Sequence, residues 1–301
     1  MQPQGSVPFV DSTKLARASL VGDRGVRLAA DVGGCPGEKS IVLLHGGGQT
    51  RHSWGQAAAD LTRAGYHVVS LDLRGHGESD WARDGDYSLE AFVADLRAVV
   101  ATLQQPPVII GASLGGATAL VTVGEAESGL ARALVLVDVV PRMSTKGVAQ
   151  IRDFMQGNMK GFDNVQQAAD AVARYLPNRP TPRSSEGLMK NLREGEDGRL
   201  YWHWDPAFQV GDKRIDATVM TARMERAAQR VRVPTLLVRG KQSDVVSSEA
   251  AGQLIDLIPH ARCVDVEGAG HMVAGDRNDA FNGAIRAFID NLDSPVPQFS
   301  G

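Results

Sequence analysis

Cysteine is almost missing from this chain of 301 residues; there are two, Cys35 and Cys263. Two thiols, with no Cys/His group at metal-ligand spacing, exclude a disulfide-stapled scaffold and a zinc-finger-like site. Cys263 lies beside Val264 and Val266 in a strand-like run, which predicts a buried core thiol. Aromatic residues are scarce at 5% of the chain. An excess of charge is missing too: 32 Lys and Arg face 35 Asp and Glu, a net charge of -3. No basic field therefore points to nucleic acid or to an anionic membrane. No apolar run reaches the roughly 18 residues of a spanning helix. Met1 to Leu20 lacks the apolar run of about 7–15 residues that a secretory leader carries. A soluble protein of a reducing cytoplasm is the expectation.

What is present is a regular alternation. Lys14–Leu20 and Gly25–Val32 flank Gly22-Asp23-Arg24 and read as a hairpin. Short apolar runs then recur at Ile41–Leu44, His67–Asp72, Pro107–Gly111, Ala133–Val137, Pro234–Arg239 and Arg262–Val266. Their hydrophobicity is continuous rather than alternating, which suits strands buried on both faces of a mostly parallel sheet. Between them, Phe92, Leu96, Val99, Val100 and Leu103 form one helical stripe, and Phe281, Ile285, Phe288, Ile289 and Leu292 form another. Strand and helix in this order predict a doubly wound α/β core.

From Pro141 to Arg230 the alternation stops. Four helical patterns lie near Thr145–Met159, Asp163–Leu176, Ser184–Arg193 and Asp216–Val231, and Asp163 with Gln166 has capping-box spacing. Pro-rich Leu176–Pro182 and Glu194–Gly198 punctuate them. Because the core pattern resumes at Val233, residues 141–230 read as a helical cap inserted into a core of residues 1–140 and 231–301.

The chemistry-bearing signal is Gly111-Ala112-Ser113-Leu114-Gly115. G-x-S-x-G is weak alone, but here a strand precedes it and a small-residue helix follows, so Ser113 falls on a strand-to-helix turn. Flanking glycines allow that turn, and the helix N-terminus offers unpaired amides. A serine hydroxyl needs a base. Of seven histidines, His271 in Gly268-Ala269-Gly270-His271-Met272 follows the last predicted strand and precedes the final helix. His45 is accounted for by the glycine loop it opens, His67 by its strand, and His76 lies in the Arg74-Gly75-His76-Gly77 loop. The acid that orients the imidazole is expected at Asp244, after the penultimate strand, which gives the order Ser, Asp, His. Asp138, after Ala133–Val137, competes, but lies at the cap junction. Oxyanion donors are expected from the Leu114 and Gly47 amides, the latter in His45-Gly46-Gly47-Gly48, with Gly46 and Gly48 as weaker candidates.

This ordered set, with Asp72-Leu73-Arg74-Gly75-His76-Gly77-Glu78-Ser79, resembles the α/β-hydrolase superfamily, and within it the capped bacterial branch of haloperoxidase-like and perhydrolase-like esterases often labelled epoxide hydrolases. The resemblance implies an eight-stranded sheet with one antiparallel strand and a helical lid over Ser113. Epoxide hydrolases of this fold use an Asp nucleophile, so Ser113 implies acyl transfer instead, with no cofactor or metal. Carboxylic esters of small apolar substrates are the expected class, with peroxide able to replace water. Carbon–carbon or lactone hydrolysis by the same triad is the enzymatic alternative, and a ligand-binding receptor the non-enzymatic one. In the cap, Tyr201-Trp202-His203-Trp204-Asp205 concentrates aromatics, and Trp202, His203 and Trp204 are candidate substrate contacts or the cap's own core. Trp54 and Trp81 lie near the site loops. Arg51 and His52 face either pocket or solvent, and Asp276 and Arg277 read as capping the last helix. A small molecule is the expected partner, and the chain reads as a monomer or homodimer.

Overall fold

Eight strands form one sheet because five central runs of Val, Ile and Leu leave no polar face. The computed structural model describes residues 13–127, 129–175, 186–271 and 278–292. A hairpin of β1 (Ala16–Val21) and β2 (Arg27–Gly33) pairs with Ala18 opposite Ala30. β2 then lies antiparallel to β4 (His67–Leu71). Parallel pairing continues through β3 (Ser40–Leu44), β5 (Val108–Ala112), β6 (Ala133–Val137), β9 (Thr235–Gly240) and β10 (Arg262–Val266). The order is β1-β2-β4-β3-β5-β6-β9-β10. β2 is the one strand of this sheet running against the rest.

Continuous apolar strands are explained by cover on both faces. Val42, Leu44, Ile109, Leu134 and Leu136 belong to one core cluster, whereas Ile41, Leu43, Ile110, Val135 and Val137 belong to the other. The first face packs α2 (Leu89–Val100), α3 (Leu114–Gly124) and α9 (Ser248–Leu257); the second packs α1 (Gly55–Arg63) and α10 (Asn278–Asn291). Ser88 caps α2 by accepting from the Ala91 amide, and Phe92, Leu96 and Val99 are the buried stripe of that helix. Phe281, Ile285, Phe288 and Ile289 do the same on α10. Among the described residues no helix is long and apolar enough to cross a membrane.

Between β6 and β9 come α4 (Thr145–Gly157), α5 (Val165–Tyr175), α6 (Glu186–Met189), β7 (Leu192–Glu194), β8 (Leu200–Trp202), α7 (Ala207–Val210) and α8 (Ala217–Ala228). Met155, Phe162, Ala168, Ala171, Leu192, Trp202 and Trp204 give this insertion its own apolar cluster.

Four local expectations are corrected. Of the pattern over Ser184–Arg193, the described residues are a single helical turn followed by β7, which pairs antiparallel with β8 around the Gly195 amide to Arg199 carbonyl bond. The cap of α5 sits one residue later than expected: Asn164 Oδ1 accepts from the Gln167 amide, and Gln167 Oε1 accepts from the Asp163 amide. The C-terminal half of α8, assigned to the cap, packs on the sheet; Met224, Ala227 and Ala228 join the first core cluster, and a methyl on Gly124 of α3 would meet the Ala227 carbonyl at 2.2 Å. Cys263 is exposed rather than buried, because β10 is the outermost strand and its first four residues are exposed. The Leu176–Pro182 linker and the capping by Asp276 and Arg277 lie outside the described residues.

Candidate active site

Ser113 occupies the turn between β5 and α3 with φ 46° and ψ -114°. A non-glycine residue there stores about 1–3 kcal/mol, which surrounding contacts must hold. The Ser113 amide donates to the Val137 carbonyl at 3.2 Å and the Gly115 amide to the His45 carbonyl at 3.1 Å. Both glycines of the motif are demanded by close approach. A methyl on Gly111 would meet the Gly115 carbonyl oxygen at 2.4 Å, and one on Gly115 the Leu44 carbonyl oxygen at 2.5 Å. The serine is thereby pressed to the C-terminal edge of the sheet, where strands of an open α/β sheet present ligands.

His271 follows β10 after a turn with Gly268 at φ 67°. Its Nδ1 donates to Asp138 Oδ2 at 2.7 Å. Asp138 itself is at φ 48° just after β6 and is fully buried. Its carboxylate also accepts from the Gly240 amide at 3.0 Å and from the Ser243 hydroxyl at 2.6 Å. Three donors satisfy a charge that burial would otherwise penalise heavily. With Nδ1 committed, Nε2 is the nitrogen left to receive a proton.

The expected acid, Asp244, is not at this position. Its side chain is exposed, while its neighbour Ser243 turns inward to Asp138 and accepts from the Val245 and Val246 amides. The 241–246 turn thus sends the hydroxyl, not the carboxylate, toward His271. Gly240 assists, since a methyl there would strike the Gly270 carbonyl at 2.2 Å. Ser243 had no part in the sequence expectation, although it immediately precedes the expected Asp244.

The glycine loop sits over Ser113: a methyl on Gly46 would lie 3.2 Å from Ser113 Cβ. Of its three amides, Gly46 donates to Gln49 Oε1 at 3.1 Å and Gly48 to His76 Nε2 at 3.1 Å. The Gly47 and Leu114 amides have no hydrogen-bond partner among the described residues. His45 is buried, with Nδ1 donating to the Gly46 carbonyl at 2.8 Å and Nε2 accepting from the Leu73 amide at 3.0 Å. Burial lowers its pKa.

Ser113, Leu114, Gly47 and His271 open on one cavity of about 950 Å³. Its far wall comes from the insertion, including Phe154, Met155, Trp202, Trp204, Phe208 and Met220. Trp202 and Trp204 stack at 5.1 Å and 11°, and both belong to the insertion's apolar cluster. They are therefore cavity wall and cap core at once. His203 is not among the lining residues; it follows the end of β8, and its charged neighbours are Asp72, Glu78 and Arg193. His52 lines the cavity, but Arg51 does neither of the things expected. It is buried, bonding Asp31 at 2.9 Å, Asp72 at 2.5 Å and Glu78 at 2.7 Å. Trp54 lines the cavity, whereas Trp81 is exposed beneath Arg193. No cluster of metal-type ligands occurs among the described residues.

Residues 39–277 match the family model described as alpha/beta hydrolase fold. The chain is 30% identical over 258 residues to Esterase Rv0045c of Mycobacterium tuberculosis, covering 83% of this chain and 82% of that protein. It is 30% identical over 261 residues to the sn-1-specific diacylglycerol lipase ABHD11 of Mus musculus, covering 83% and 80%. Its fold is similar to that of E-2-(acetamidomethylene)succinate hydrolase, with a TM-score of 0.79 and 22% identity over 92% of this chain and 99% of that one.

Proposed function

This chain belongs to the α/β-hydrolase family, and from that premise we propose that it is a serine hydrolase cleaving carboxylic esters through an acyl-enzyme on Ser113. One observation carries the reading. Ser113 and His271, the latter held at Nδ1 by buried Asp138, face the same cavity as the Gly47 and Leu114 amides, which have no partner among the described residues. Similarity to proteins named esterase and lipase supports the ester bond as the target.

In the first step Ser113 Oγ attacks the acyl carbon while His271 Nε2 takes its proton. The carbonyl oxygen becomes an oxyanion beside the Gly47 and Leu114 amides, donors of the kind that contribute about 10²–10³ in rate. Collapse of the tetrahedral species expels the alcohol, which receives the proton from His271. Water then attacks the acyl-serine, giving up a proton to His271, and the acid leaves as Oγ is reprotonated. Asp138 keeps the imidazole in the Nδ1–H tautomer and stabilises the imidazolium between transfers. Hydrogen peroxide entering in place of water yields a peracid by the same steps.

The cavity volume of about 950 Å³ lies near the top of the range for small-molecule sites, roughly 300–1,000 Å³. With its apolar wall it suits apolar acyl or alcohol groups larger than acetyl. The test is hydrolysis of p-nitrophenyl esters from acetate to octanoate by wild type and Ser113→Ala, alongside labelling by a fluorophosphonate. We expect stoichiometric labelling, a rate optimum above acetate, and loss of about 10³ or more in the mutant. Full activity in Ser113→Ala overturns the mechanism.

A further inference from the structure

Among seven histidines, His76 is buried completely and yet does not line the cavity. Its ring is wired at both ends. Nδ1 donates to the Arg74 carbonyl at 3.0 Å, which leaves Nε2 as an acceptor, and Nε2 receives the Gly48 amide at 3.1 Å. Gly48 has φ 76°, a left-handed conformation that a glycine adopts without steric cost. The Gly48 amide shares a planar peptide unit with the Gly47 carbonyl, so the bond to His76 fixes that peptide and restrains Gly47, whose own amide lies in the preceding unit. The Phe208 ring meets His76 edge-on at 4.9 Å, and its Cζ lies 3.4 Å from where a methyl on Gly47 would be. Phe208 belongs to α7, so a side chain of the insertion closes over the loop and its histidine together.

We infer that His76 is a positioning residue for the oxyanion site: by accepting the Gly48 amide it holds the Gly47 amide free and aimed at Ser113. The inference rests on the acyl-transfer reading above, in which the Gly47 amide receives the oxyanion. Had the Gly48 amide no internal acceptor, it would compete with Gly47 for the developing charge or rotate to reach one, and the loop would lose its single arrangement. A neutral ring is required, since an imidazolium would set a donor against a donor. Burial supplies it, pushing the His76 pKa down to about 3, with His45 at 5.3 Å between centroids adding to the effect. His45 fixes the other end of the loop through the Gly46 carbonyl, so two neutral rings leave one amide uncommitted between them.

The test compares His76→Phe, which fills the space without an acceptor, with His76→Gln, whose amide oxygen reaches the place of Nε2. Three quantities are read: kcat and KM on one p-nitrophenyl ester, and the inhibition constant of a trifluoromethyl ketone, whose adduct with Ser113 carries the oxyanion. For His76→Phe we expect kcat to fall about 10²-fold with KM within about twofold. Affinity for the ketone should fall by the same factor, and His76→Gln should recover most of both. A merely structural role predicts a lower melting temperature without a matched loss of ketone affinity; that result, or a rise in KM at constant kcat, overturns the inference. Should both variants fail to fold, nitrogen-15 shifts of histidine in the wild type decide instead: the Nδ1–H tautomer at His76 supports it, and the Nε2–H tautomer overturns it. Wild type inactive on every ester, or Ser113→Ala fully active, would instead sink the underlying mechanism, so the two failures are distinct.

Discussion

Replacing Asp138 by Asn separates the two carboxylates that follow strands near the site. Asn Oδ1 can retain the Gly240 amide, now 3.0 Å from the carboxylate. The amide nitrogen then confronts His271 Nδ1 and the Ser243 hydroxyl, which lie 2.7 and 2.6 Å from the Oδ2 it replaces. Two N–H donors cannot share that line, so the imidazole moves its proton to Nε2 and can no longer accept from Ser113. Loss of a buried acid in this role, through the wrong tautomer, typically costs about 10⁴ in kcat, equivalent to ~5.4 kcal/mol of barrier. Asp244→Asn, altering an exposed carboxylate with no hydrogen bond of its own among the described residues, should leave kcat/KM within about twofold. Steady-state hydrolysis of p-nitrophenyl butyrate by both variants, with melting curves to verify folding, is the assay. A folded Asp138→Asn keeping a tenth of wild-type activity, or an Asp244→Asn losing more than tenfold, would refute the argument.

Two further outcomes concern stability. Arg74 is buried and binds Asp95 with its Nε and Nη2 at 2.6 and 2.7 Å; Asp95→Ala should cost about 3–5 kcal/mol by stranding that cation. Arg74→Met added to it should recover much of the loss in a urea titration, and a double variant no better than the single would count against this. Acid should destabilise the fold through its buried imidazoles. Burial moves His76 from its ordinary 6.5 to about 3 and lowers His45 as well. The unfolded chain therefore binds more protons below its own pKa, so this stability is complete above about pH 6.5 and drains away toward pH 3. Calorimetry should show the melting temperature falling across that window, less steeply in His76→Gln; an unchanged melting temperature from neutrality to about pH 4 contradicts it.

Much of the sheet was legible because β3, β4, β6 and β9 are buried along their whole length, and burial on both faces writes itself as an unbroken apolar run. Ser113 was legible through its glycines, each needed for a backbone approach. The exchange of Asp244 for Asp138 was not. Both aspartates follow strands, and the choice depends on which side chain of the 241–246 turn points inward, settled by contacts with residues more than a hundred positions away. Cys263 failed for a related reason: strand order across a sheet is not a local property, and β10 has a neighbour on one side only. β7 and β8, at three residues each, are too short to impose a period, and His203 was grouped with two tryptophans that line the cavity while it does not.

Within the insertion between β6 and β9, Met155, Phe162, Leu192, Trp202 and Trp204 form an apolar cluster of their own, whereas α8 packs with the sheet. Of that cluster, Met155, Trp202 and Trp204 line the chamber's far wall, and none of the five belongs to the two clusters that clasp the sheet. On the acyl-transfer reading proposed above, substitutions at these wall residues would change which substrates fit without replacing the residues proposed to react. A lineage carrying this arrangement can diversify by drift in its roof, with no need to reinvent its floor.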